Sequence, residues 1–224
     1  MDEESREVVA LSAAARRVLG VLVEKAKTTP DHYPLTLNAI VTASNQKSNR
    51  DPKMDLDEDQ ALLALDELKS VKAVREVQGN GRSIKYRHAA YEWMDIDGAE
   101  SAVMTELLLR GPQTIGEIRT RASRMHPFAD LASLQPVVDQ LCGKALVEPM
   151  SPPGRGQMFT HTLYQNHEKQ FLSARIEKRQ ASNAEHPNDV ATVNSDTVEK
   201  LVLKLEEVTS RIDELEKRLA ELES

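Results

Sequence analysis

The chain has 224 residues, 40% of them hydrophobic, and a net charge of −7, enough material for one large domain or two small ones with real cores. No apolar run approaches the roughly 18 residues of a membrane span and no signal-peptide pattern opens the chain, which predicts a cytoplasmic protein with no membrane partner. Its single cysteine, Cys142 in the apolar run VVDQLCGKAL, cannot pair within the chain or build a cysteine metal site, and reads as a core residue.

The negative charge is unevenly spread. Residues 1–95 carry 14 Lys and Arg against 16 Asp and Glu, residues 96–165 carry 6 against 7, and residues 166–224 carry 9 against 12 Glu and Asp plus Glu168, so the acidity is concentrated in the tail. The body is close to neutral, and a nucleic-acid partner is not excluded by the sum alone.

In chain order, Ser12 predicts the cap of a first helix whose Ala15, Val18, Leu19, Leu22, Val23 and Ala26 form one apolar stripe. A short helix over TLNAI follows, with Leu37, Ile40 and Val41 at helical spacing, and it runs out into the polar stretch SNQKSNR (44–50). The run Asp57-Glu58-Asp59-Gln60 predicts a capping-box start for a third helix carrying Leu62, Leu65 and Leu68 inward, after which Val74 to His88 predicts a hairpin around QGNGR.

The same order then recurs. GRSIKYRH (81–88) and GRGQMFTH (154–161) share Gly-Arg-x-x-x-aromatic-x-His at an offset of 73, which also aligns Leu65 with Val138, Leu68 with Leu141 and Val74 with Val147. TLNAI matches TIGEI at an offset of 78, and VLGVLVEK faces VMTELLLR at 85. The chain is one unit used twice. In the second unit Thr114 to Glu117 predicts a capping box, Ser133 a cap for the third helix with Pro136 in its first turn, and PPGRG the hairpin turn. Three helices and a glycine-tipped hairpin make a winged helix-turn-helix plan, so the expected fold is mainly α (α+β): tandem winged helices over 1–95 and 96–165, a helix and polar linker over 166–195, and a short coiled coil over 196–224. The falling offsets place five extra residues of the first unit in SNQKSNRDPKMD and seven around TTPDHYP, so the polar stretch is an elaborated turn. In the tail, Val198, Leu205, Ile212 and Leu219 take a positions and Leu201, Val208, Leu215 and Leu222 take d positions of heptads, predicting a homodimer; a lone helix folding back on its own wings is the other reading.

The run DHYPLTLNAIVTASNQKSNRDP, with GQMFTH and the tandem units, resembles the YceH-like family of bacterial proteins over most of residues 12–165. The resemblance implies a tandem winged-helix fold described as DNA-binding-like and carries over no catalytic residue.

The third helix of such a fold would enter the major groove by its N-terminus, and here that end carries Asp55, Asp57, Glu58 and Asp59, which repel phosphate; capping is the plainer role for the last three. Positive charge lies instead on the turn (Lys47, Arg50, Lys53), on the first wing (Arg75, Arg82, Lys85, Arg87), near the second unit's middle helix (Arg119, Arg121, Arg124) and at its wing tip (Arg155). Asn45, Gln46 and Asn49 offer amides that read adenine edges, although Asn and Ser also serve turns by local hydrogen bonding. His88 and His161 close equivalent strands and predict a repeated structural hydrogen bond rather than a metal site, while Tyr86 and Phe159 read as hairpin core. No phosphate loop, nucleophile elbow, zinc-protease motif or dinucleotide fingerprint is present, so neither a cofactor nor an enzyme is expected. Two functions stay open: a dimeric regulator that binds double-stranded DNA through turn and wing cations, and an adaptor whose winged helices bind a protein partner.

Overall fold

The computed structural model describes residues 8–78, 83–154, 156–169 and 171–172. The heptad residues from Val198 to Leu222 and the wing-tip arginines Arg82 and Arg155 lie outside the described residues.

The first half runs α1 (Ala13–Thr28), a 3-10 turn (Pro30–His32), β1 (Leu35–Thr36), α2 (Leu37–Ser44), α3 (Glu58–Ser70), β2 (Val74–Gln78) and β3 (Ile84–His88). A short α4 (Ala90–Met94) leads to the second half: α5 (Gly98–Arg110), β4 (Gln113–Thr114), α6 (Ile115–Ala122), α7 (Leu131–Gly143), β5 (Val147–Pro149) and β6 (Met158–His161). Each half closes a three-stranded antiparallel sheet, in the orders β1-β3-β2 and β4-β6-β5. The registers repeat as well: Leu35 faces Tyr86 where Gln113 faces Phe159, and Val74 faces His88 where Val147 faces His161. Helix, strand, helix, helix, strand, strand in both halves is an α+β arrangement on the winged-helix plan.

Capping sets the helix starts. The Ser12 hydroxyl accepts from Ala15 N at 3.1 Å, and Ser12 N donates to Glu67 Oε1 at 2.7 Å, tying the start of α1 to α3. Thr36 and Thr114 cap α2 and α6 at equivalent positions, and Asp57 begins α3 with the expected reciprocal box to Gln60. The start of α7 departs from expectation. Its cap is Asp130, whose carboxylate accepts from Ser133 N at 2.8 Å while Ser133 Oγ accepts from Asp130 N at 3.2 Å. The helix therefore begins three residues earlier than Ser133 suggested, and Pro136 sits in the second turn, beyond the positions where a missing N–H costs nothing.

Helices α1 and α5 lie against each other, and from Ala15 to Glu24 and from Glu100 to Leu109 every residue is buried. A single-face stripe is thus only part of the role of α1: one side meets α2, α3 and β3, another meets α5. Gly20 permits the approach, since a Cβ there would lie 3.0 Å from Leu109 Cγ and Cδ2. One continuous core takes Leu19 and Leu22 from α1, Ile40, Leu65 and Leu68 from the rest of the first half, and Leu107, Ile118, Leu134 and Leu141 from the second. Tyr86 and Phe159 are buried in it, and Cys142 packs against it half-buried. Leu62, expected inward, is instead 38% exposed, because Ala61, Ala64, Leu65 and Leu68 occupy the inner face of α3. Among the described residues no helix is long and apolar enough to cross a membrane.

Candidate interaction surface and the ion-pair network behind it

The polar turn after α2 folds inward. Asn45 clamps it with both ends of its amide, Nδ2 donating to Leu56 O and Oδ1 accepting from Leu56 N, each at 2.8 Å. Asp51 N donates to Leu109 O at 3.0 Å, fastening the turn to the end of α5. Arg50 enters the interior, its side chain wholly buried: Nε donates to Ala43 O at 3.1 Å, Nη1 to Glu24 Oε1 at 3.1 Å and to Asn49 O at 2.8 Å, and Nη2 to Glu24 Oε2 at 2.5 Å and Gln46 Oε1 at 3.1 Å.

The second half feeds the same cluster. Arg124, from the turn after α6, reaches Glu24 Oε1 at 2.6 Å and Glu106 Oε1 at 2.8 Å; Arg110 Nε lies 2.9 Å from Glu106 Oε2, and Arg110 Nη2 donates to Asn49 Oδ1 at 2.6 Å. Beside them Arg17 donates to the carbonyls of Ser44, at 3.0 Å, and Pro52, at 2.6 Å. Burial pushes the Glu24 carboxyl up, but the hydrogen bond and charge of Arg50, with Arg124 behind it, outweigh burial and hold it below the usual carboxylate value. Burial and the neighbouring Arg50 lower Arg17 to about 10. Two carboxylates, Glu24 and Glu106, thus hold three guanidiniums drawn from both halves, with Arg17 beside them on backbone carbonyls.

The structure gives several of the expected nucleic-acid contacts partners within the molecule. Arg50 is inaccessible to a phosphate, and Arg124 is committed to Glu24 and Glu106. Arg121 pairs with Glu117 at 3.3 Å and donates to Gln113 Oε1 at 2.6 Å, while Arg119 donates to Ala129 O at 3.1 Å, so the second half's arginines stitch α6 to its surroundings. Asn49 is exposed, but its amide oxygen holds Arg110. Lys47, Lys53 and Arg87 are exposed and Lys85 is half-exposed, with no ion pair among the described residues. Arg75 stands opposite Arg87 in the sheet, and alternation puts both on one face with Lys85 and Val77.

The histidines diverge. Burial lowers His88 to about 4, and its Nδ1 accepts from Ala90 N at 3.3 Å; His161, also held well below its ordinary value by burial, has an Nδ1 without a hydrogen-bond partner among the described residues and stacks on Tyr164 with ring centroids 4.0 Å apart. The expected hydrogen bond is therefore not repeated, although each histidine packs on the tyrosine three residues on, His88 edge-on to Tyr91 and His161 stacked on Tyr164.

With the network closed, the outer face of α3 is the most distinctive surface left. Asp55, Asp57, Glu58 and Asp59 are exposed at its start, Leu62 and Leu63 are 38% and 70% exposed along it, and Asp66 pairs with Lys69 at 2.9 Å. The residues that sequence reasoning passed over are Glu24, Glu106, Arg17 and Arg110. Their signal was a charge set inside an apolar run, as in AVMTELLLR, where a solvated face would not put one.

Residues 11–155, which hold the ion-pair network and every element of the fold except β6, match the family model described as protein of unknown function, DUF480. The chain belongs to the DUF480 family. Its similarity extends to a UPF0502 protein of Rhodopirellula baltica, 60% identical over 183 residues, covering 82% of this chain and 77% of that one. A UPF0502 protein of Geobacter sulfurreducens is 48% identical over 151 residues, 66% of this chain and 69% of its own, and one of Koribacter versatilis is 44% identical over 157 residues, 68% and 73%. The YceH-like resemblance read from DHYPLTLNAIVTASNQKSNRDP agrees with membership of DUF480.

Proposed function

We propose that this protein is an adaptor that binds another protein through the outer face of α3, and that it does not read the major groove of DNA. One observation carries the reading: the helix that would enter the groove presents exposed acid at its N-terminus and exposed leucine along its length. Phosphates approaching that end would meet four carboxylates well within the ~8 Å over which charges interact at physiological salt. The burial of Arg50 against Glu24 supports the same conclusion, since it removes a cation that a groove reader would need, and Arg124 is engaged by Glu24 and Glu106.

The test has two arms. A photo-crosslinking residue at Leu63 is expected to yield a discrete adduct with a partner protein in cells, absent when the same group replaces Gln135 on α7. A salt-titrated assay on mixed genomic fragments is expected to give weak, sequence-independent binding at most. Tight DNA binding with a steep salt slope, abolished by changes on α3, would overturn the reading.

A second reading has its own observation: Arg75, Lys85 and Arg87 share one sheet face and none is ion-paired among the described residues. Such a wing is suited to track a phosphate backbone. If it does, Lys85→Ala with Arg87→Ala should flatten the salt dependence of DNA binding by about 1.8 log units, at ~0.9 per phosphate neutralised.

A further inference from the structure

The repeat provides an internal comparison for the first half's third helix and wing. At the offset of 73, Leu62, Leu63 and Ile84 correspond to Gln135, Pro136 and Gln157. In the first half these apolar side chains are 38%, 70% and 51% exposed. The second half builds the same helix, the same strand order and the same register with two amides and a proline in those places. The fold therefore does not require apolar residues there, and packing does not account for them. Exposed large apolar groups grouped on one element mark an interaction surface.

Ile84 belongs to that surface by sheet geometry. It shares a face of β3 with Tyr86, and Glu76, directly opposite Tyr86, reaches Lys69 on α3 at 2.5 Å, so this face of the wing looks toward α3. The charge at the start of the helix is acidic: Asp55, Glu58 and Asp59 are exposed and make no ion pair among the described residues, while Lys69 farther along is held by Asp66 and Glu76.

We infer that the outer face of α3, with Ile84 beside it, docks a basic amphipathic segment of another protein, one in which apolar anchors stand beside lysine or arginine. The inference rests on the adaptor reading and names the chemistry of its partner. Charge selects this occupant from the alternatives. A second copy presenting the same face across a two-fold axis would set Glu58 and Asp59 against their own counterparts. Residues 173–224 of the chain itself hold 8 Lys and Arg against 12 Asp and Glu, the wrong sign for an acidic face.

Fluorescence anisotropy on the full chain tests this with three labelled probes: a leucine-lysine amphipathic peptide, a leucine-glutamate peptide of the same length and apolar content, and a synthetic peptide of residues 173–224. The expected result is saturable binding of the lysine peptide alone. Leu62→Gln with Leu63→Gln, which restores the polar character of the second half, should weaken it at least about tenfold without moving the melting temperature. Glu58→Gln with Asp59→Asn should weaken it and flatten its salt dependence. Equal affinity for the lysine and glutamate peptides, both lost in the leucine variant, would overturn the basic partner while leaving α3 as a protein-binding face. Binding that survives the leucine changes, or the absence of binding to the lysine peptide, would overturn the α3 site and the adaptor reading with it. Tight binding of the 173–224 peptide would assign the face to the chain's own tail.

Discussion

Arg50 and Lys47 stand three positions apart in one turn, yet one is an interior ion and the other a solvated side chain. Breaking a buried ion pair from one side leaves the other charge uncompensated, at a cost of about 3 to 5 kcal/mol. Arg50→Ala is therefore expected to lose about that much in urea denaturation, whereas Lys47→Ala should stay within about 0.5 kcal/mol. Replacing Glu24 and Arg50 together by methionine should cost less than Arg50→Ala, because no charge is stranded. His88 supplies a second expectation at this scale. Its folded value of about 4 lies below the ordinary 6.5, so the unfolded chain binds the extra proton first. The stability it contributes is present above about pH 6.5 and is lost as pH falls toward 4. Urea midpoints measured from pH 7.5 to 4 should decline across that window, and His88→Gln should flatten the decline.

At the scale of elements, the pairing of α1 with α5 depends on Gly20. Alanine there gains up to about 1 kcal/mol of helix propensity, but its methyl would press on Leu109, which is fully buried and has nowhere to yield. Overpacking typically costs about 1 to 3 kcal/mol, so Gly20→Ala is expected to be net destabilising by about 1 kcal/mol in thermal or chemical unfolding. The helix starts make a contrast. Thr114 was legible because Ser and Thr before an apolar run satisfy orphan N–H groups locally, and Thr36 caps α2 in the same way. At α7 both Asp130 and Ser133 are competent caps, and local sequence alone does not rank them; the structure uses both, in one reciprocal box.

For the whole molecule, a shared core implies that the halves do not fold independently. The described residues up to 172 belong to one compact unit, and α1 buries side chains against both halves. Full-length protein should show coincident unfolding of that unit by circular dichroism and by fluorescence of Trp93, and a chain ending at residue 95 should lack a cooperative transition, since α1 would expose the face that α5 covers. Assembly is a separate matter. The heptads from Val198 to Leu222 predict that removing residues 196–224 lowers the oligomeric mass in light scattering while leaving the core's melting unchanged; equal masses would show that the tail does not drive association.

Periodicity, capping chemistry and the internal repeat determined the element order, the duplicated plan and the hairpins, because each depends on interactions within a few residues or on comparison of the chain with itself. Tyr86, Phe159 and Asp57 were readable for that reason. The fate of the polar turn was not. Whether Arg50 and Arg124 face solvent or an internal carboxylate depends on partners 26 residues away in the case of Glu24 and Arg50, and 18 in the case of Glu106 and Arg124. Only the packing of α1 against α5 brings Glu24 and Glu106 to one place. That packing buries α1 from Ala15 to Glu24, holds Arg50, Arg110 and Arg124 on two interior carboxylates, and leaves α3, with its acids and its two leucines, facing out. Local sequence sets which elements form. The free energy of removing two helices and their charges from water together decides which side chains remain available to a partner.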